Sequence, residues 1–159
     1  LGLRLRLAEA EGRDLGPLRR WTAPETAVPV DGRTGPVVVA IDWRVEPGDA
    51  DAFLAAMAER RRIRRRDGAH DWSLLRDVAD PALWVERYQV ATWADYVRLN
   101  NRQTIDDAAA FDRLRGLHRG PWPPQVRRMI ERDPRPAAAD GPRAARELAA
   151  PLADPQRLS

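Results

Sequence analysis

Residues Val37–Trp72 read VVVAIDWRVEPGDADAFLAAMAERRRIRRRDGAHDW. Their opening alternates strictly, with Val37, Val39, Ile41, Trp43 and Val45 on one face and Val38, Ala40, Asp42, Arg44 and Glu46 on the other. That period of two predicts a half-buried strand over 37–46 whose second face is only partly polar. Pro47, Gly48 and Asp49 then turn the chain, and Asp49 is placed to serve as N-cap or first-turn carboxylate of a helix. At about 100° per residue, Ala50, Phe53, Leu54, Ala56, Met57 and Ile63 share one side, the stripe that should pack on a sheet. Arg60 and Arg64 fall inside that stripe, and Arg60 stands where an apolar side chain is expected. Arg61, Arg62, Arg65 and Arg66 point elsewhere and oppose the helix C-terminal dipole favourably. Gly68 supplies the left-handed residue that ends the helix.

Working outward, 69–77 reads as a strand with Trp72 and Leu74 on one face and Leu75 on the other. Asp80-Pro81 turns the chain into a returning strand over 83–91, with Trp84, Tyr88 and Val90 on one face. Thr92 with Asp95 and Thr104 with Asp107 are capping-box signals. The first opens a helix through Asn101 that buries Trp93, Tyr96 and Val97 or Leu99. The second opens one carrying Ile105, Ala108, Phe111, Leu114 and Leu117, broken at 118–124 by glycine and prolines. A last strand spans 125–131, with Val126 and Ile130 on one face and Met129 on the other. The order is β-α-β-β-α-β with a split second helical region, an α+β, ferredoxin-like domain with a four-stranded antiparallel sheet. Its helices cover one sheet face. Val38, Ala40 and the hairpin aromatics suggest that a second subunit covers the other, making a homodimeric α/β barrel.

Three segments follow: residues 1–36 as a linker, 37–131 as the domain, and 132–159 as a disordered tail rich in Pro, Ala and Arg, with a helical turn near 144–149. Leu3, Leu5 and Leu7, interleaved with Arg4 and Arg6, suit either a frayed terminus or a membrane surface. The start at Leu1 suggests a fragment of a longer chain. Its 159 residues contain no run of about 18 apolar residues that would span a membrane.

Charge and residue usage narrow the chemistry. The net charge of +3 rests on arginine without a single lysine. This bias fits a GC-rich coding sequence, so the basic pI is weak evidence for a nucleic-acid partner. Zero cysteines exclude disulfides, thiolate zinc sites and cysteine nucleophiles. His70 and His118 are the two histidines; a metal site would need Asp71, Asp77 or Glu86 as well, and the spacing fits no zinc motif, so no metal is expected. Neither Ser73 nor Ser159 sits in a nucleophile elbow. The arginines of 60–66 suit phosphates of anionic lipid better than nucleic acid, because no stacking aromatic is interleaved with them, and a solvated helix face is the plainer alternative.

Three runs together, 37–57, 61–104 and LHRGPWPPQVRRMI at 117–130, resemble the C-terminal soluble extension of a bacterial family of major facilitator transporters, enterobactin-exporter-like. That extension is similar to the antibiotic-biosynthesis monooxygenase group of dimeric α/β barrels. The likeness covers 21–130 and rests on RIRRRDGA, the Asp-Pro turn, the helix start at Trp93 and LHRGPxPP taken as a set. It implies a non-catalytic accessory domain on the cytoplasmic face of the cell membrane, tethered through membrane helices absent here, that dimerises or senses a ligand and needs no cofactor. The alternative it implies is a stand-alone monooxygenase-like enzyme, cytoplasmic if free-standing, acting on an aromatic or haem substrate. For that reading Trp93, Asn100 and His118 are the candidate residues, His118 standing where relatives hold haem iron; the plainer reading makes His118 a helix C-cap and Trp93 core.

Overall fold

The computed structural model describes residues 21–135. The expected membrane-surface residues Leu3–Leu7, the rest of the linker up to residue 20, and the tail from 136 lie outside the described residues.

Strand β1 (Val37–Arg44) leads through a short turn of 3-10 helix (Pro47–Asp49) into α1 (Ala50–Arg66). The Asp49 side chain makes no capping hydrogen bond; its carboxylate instead meets Arg119 at 3.3 Å. The chain continues through β2 (His70–Arg76), β3 (Leu83–Val90), α2 (Trp93–Asn101), α3 (Ile105–Leu117) and β4 (Val126–Ile130). The strands form one antiparallel sheet in the order β2-β3-β1-β4. This is the split α+β topology expected from the sequence. Gly68 ends α1 at φ 108°, a backbone conformation that costs glycine little. Both threonine caps form, and Thr104 and Asp107 complete a reciprocal capping box.

Register assigns the two faces. Val37, Val39, Ile41 and Trp43 stand opposite Val90, Tyr88, Glu86 and Trp84, and because cross-strand partners share a face, all eight look toward the helices. They meet Phe53, Met57, Leu99 and Leu114 in the core. Trp84 and Tyr88 therefore lie inside this chain, 8% and 1% exposed. The expectation that hairpin aromatics lie on the uncovered face is corrected: the pleat turns them inward. The uncovered face carries Val38, Ala40, Val85, Leu75 and Met129. Val38 and Ala40 are already buried, flanked in register by Gln89 and Met129, and by Arg87 and Arg127. Leu75 and Met129 stay exposed.

Two helical stripes also differ from expectation. In α1 the buried residues are Phe53, Ala56, Met57, Arg60 and Arg64, while Leu54 is 43% exposed. In α3 they are Ala110 and Leu114, and Ile105 faces outward. The cause is packing against α1, which selects a narrower strip of α3 than its own periodicity offers.

Residues 32–35 are bound to the start of α2. Its first N–H groups have no partner within the helix; Trp93 N–H donates to the Thr34 carbonyl (2.7 Å) and Ala94 N–H to that of Gly32 (3.1 Å). A Cβ on Gly35 would stand 2.0 Å from the Ala91 carbonyl oxygen, so this contact requires glycine.

Candidate functional site

A cavity of about 450 Å³ lies between the helices and the inner face of the sheet. Its walls combine aromatic surface from Trp21, Trp43, Tyr88, Tyr96 and Phe111 with Arg60, Arg64, Asn100, Gln103 and Arg128. Trp21 closes over it: its ring meets Tyr96 edge-on at 5.3 Å, and its backbone N–H donates to Asn101 Oδ1 (3.2 Å). Size and composition suit a small-molecule pocket, mostly apolar with a few directed polar groups.

The polar end is built by α1 and β3. Arg60 and Arg64, one helical turn apart, both reach down to Glu86, which is fully buried. Glu86 Oε2 accepts from Arg60 Nε (2.7 Å) and Trp43 Nε1 (3.3 Å), and Oε1 accepts from Trp72 Nε1 (3.2 Å). Arg64 Nε stands 3.5 Å from Oε1. That contact is Coulombic without hydrogen-bond geometry, and Arg64 Nε has no hydrogen-bond partner among the described residues. Arg60 lies over the Trp43 ring and Arg64 over Tyr88, at 5.4 and 4.7 Å from the ring centres, contacts that favour a desolvated cation.

The electrostatics follow from this arrangement. Burial is the largest influence on Glu86 and would raise its carboxyl, but Arg60 and Arg64 together outweigh it and hold Glu86 below the usual carboxylate range. Burial, followed by repulsion from Arg64, lowers Arg60 from the usual arginine value, which a guanidinium tolerates without losing its proton near neutral pH. Burial pushes the Tyr88 hydroxyl up to about 12, so it remains neutral. Two guanidinium charges thus face one carboxylate, Arg128 adds a third at the rim, and no other carboxylate lines the cavity among the described residues. At its rim Arg128 Nε donates to the Tyr96 hydroxyl (2.6 Å).

Of the residues singled out from sequence for catalysis, the structure brings Asn100 to the cavity wall. Its amide donates to the Tyr96 carbonyl (2.9 Å). Trp93 packs on Tyr96 at 5.2 Å and lines a different hollow with Arg128 and Ile130. His118 is outside the cavity lining as well: its Nδ1 accepts from Arg44 N–H (3.1 Å), and its Nε2 faces the Pro121 carbonyl (3.0 Å). Nδ1 ties the end of α3 to β1 and Nε2 holds the loop that follows, so with both ring nitrogens engaged this imidazole does not fit the role of a haem ligand.

The outer arginines are spread over two sides of α1. Arg66 bridges Asp67 and Asp107 at 2.8 Å each, Arg62 leans toward Glu59 (3.9 Å), and Arg61 covers Trp72. All four stay exposed; Arg62 and Arg66 border acidic groups, while Arg61 and Arg65, one turn apart, have no acidic partner among the described residues.

Sequence reasoning noticed Arg60 but missed its partner. Glu86 interrupts the inward series Trp84, Tyr88, Val90, and a carboxylate at an inward position of β3 was the available signal.

The family model described as transmembrane secretion effector, of the major facilitator class, matches residues 1–136. The chain belongs to this secretion-effector family. No match is found among curated proteins. Among solved structures, the secretion-effector chain is similar to a candidate antibiotic biosynthesis monooxygenase from Caulobacter crescentus CB15 (TM-score 0.55, 14% identity, 64% of this chain and 94% of that one). It is similar also to one from Bordetella bronchiseptica (TM-score 0.52, 22% identity, 62% and 99%), and to a conserved protein from Methanosarcina mazei Go1 (TM-score 0.51, 9% identity, 63% and 96%). At these identities the likeness establishes the fold. Both halves of the resemblance drawn from the sequence, transporter family and monooxygenase-type fold, are thereby met. No described helix is long and apolar enough to cross a membrane.

Proposed function

We propose that this chain is an accessory domain of a major facilitator efflux transporter, placed at the cytoplasmic face of the membrane, where it senses a small ligand and couples protomers. The observation that carries this reading is the family match, which spans residues 1–136 and so includes the folded domain. The aromatic-walled cavity, open to solvent on one side, supports ligand sensing. Coupling uses the uncovered sheet face, where exposed Met129 stands beside the buried Val38 and exposed Leu75 lies out on the β2 edge, a surface suited to a second copy in a two-fold pair. Exposed Arg61 and Arg65 supply the guanidinium groups for contact with anionic headgroups. Sequencing the genomic DNA immediately upstream of the Leu1 codon tests the placement. An in-frame series of hydrophobic spans is expected, and a start codon close behind a stop would overturn it.

A second reading, a stand-alone oxygenase for an aromatic substrate, is favoured by the fold likeness and by Asn100 at the cavity wall. It predicts oxygen uptake with an aromatic hydroquinone that falls in Asn100→Ala; absence of uptake would remove it.

A further inference from the structure

Guanidinium groups outnumber carboxylates at the cavity: Arg60, Arg64 and Arg128 line it, and Glu86 alone is shared between the first two. Arg60 is matched to Glu86 by a 2.7 Å hydrogen bond. Arg64 is 5% exposed, lines the cavity, and keeps its Nε–H without a partner among the described residues. Asp67 and Asp107, at the end of α1 and the start of α3, are engaged by Arg66. A buried donor left unmade and one carboxylate shared between two buried cations are both costly, and such costs concentrate where a ligand relieves them. The aromatic walls supply flat surface on which a ring can stack.

We infer that the cavity binds a small aromatic monoanion, its carboxylate or phenolate oxygen received by Arg64 and its ring held among Trp43, Tyr96 and Trp21. This deepens the sensing reading above and rests on it. The geometry favours an anion with a flat body over inorganic phosphate, because the surplus guanidinium charge, Arg64 inside and Arg128 at the rim, faces a mostly apolar wall. A carboxylate presents two acceptors to a guanidinium fork, while a neutral isostere leaves the surplus charge unanswered.

The test titrates the full 159-residue chain with naphthalene carboxylate and with its uncharged isostere naphthalene carboxamide, by calorimetry or tryptophan fluorescence at low salt. The carboxylate should bind about tenfold or more tighter, the factor a charge-assisted hydrogen bond supplies. Arg64→Gln leaves the Arg60–Glu86 pair in place, so it should fold, which circular dichroism checks, and it should lose the preference. Arg128→Gln, at the exposed rim, should weaken the carboxylate alone by a few-fold and cannot be dismissed as a folding defect. Equal affinity for the two probes, or a preference unchanged in Arg64→Gln, overturns the anion class while leaving the pocket as a binding site. Binding of neither probe up to millimolar concentration overturns the inference together with the sensing role, and leaves the transporter placement to its own test at the DNA level.

Discussion

Replacing Glu86 by glutamine is the sharpest test of the buried cluster, because it alters charge at nearly constant volume. Glu86 accepts three hydrogen bonds and faces two guanidinium groups with side chains 9% and 6% exposed. Glutamine offers one carbonyl oxygen, so its NH₂ must confront either the Arg60 and Trp43 donors or the Trp72 donor. Removing one partner of a buried ion pair costs about 3–5 kcal/mol, mostly through the charge left behind. At about 4 °C per kcal/mol for a domain of this size, the melting temperature should fall by about 12–20 °C. Urea titration followed by far-ultraviolet circular dichroism and by tryptophan fluorescence measures the loss. Glu59→Gln is the control: Glu59 meets Arg113 and Arg62 at the surface, with its side chain 37% exposed, and should cost under about 1 kcal/mol. Adding Arg64→Gln to Glu86→Gln should recover at least about 1 kcal/mol, since it removes one unpaired cation and the two sites are coupled. A Glu86→Gln loss no larger than that of the Glu59 control would refute the buried, doubly paired carboxylate. The pH dependence has a definite sign. Glu86 is held below its unfolded value by Arg60 and Arg64 against the effect of burial, so its contribution is fully present above the unfolded carboxylate range and disappears as pH falls through the folded value. The gap between wild type and Glu86→Gln should therefore be constant near neutrality and close in acid.

Two further outcomes follow from other parts of the fold. Met129→Arg places a charge on the uncovered sheet face at a side chain already 42% exposed; the monomer should keep its stability while the sedimenting species shifts from dimer to monomer, and a wild type that is monomeric at micromolar concentration would defeat the pairing proposal. Thr104→Ala removes one half of the capping box that opens α3 and should cost about 1 kcal/mol in urea titration; no change would mean that this cap does not stabilise the fold.

The local grammar of the chain was written in neighbouring residues. Alternation from Val37 to Val45, the threonine caps with their aspartates three positions on, and Gly68 at a positive φ are choices the backbone makes within a few bonds. They therefore determine where strands and helices begin and end, and the order of those elements indicates the split α+β class. The same periodicity marked Arg60 as a charge on an apolar stripe. What it could not supply was the reason. The carboxylate that balances Arg60 sits 26 residues away on β3, and it stands beneath α1 because the sheet order β2-β3-β1-β4 sets β3 between β2 and β1. That pairing is a long-range choice governed by burial of all strands together. For the same reason His118, open in the sequence between a haem ligand and a helix C-cap, proves to stand at the C-cap of α3 and to tie it to β1. The arginine-rich helix that opens the reading is divided by tertiary structure alone: Arg60 and Arg64 become the charged end of a cavity, while Arg61, Arg62, Arg65 and Arg66 remain at the surface, because β3 presents its one inward carboxylate to a single side of α1.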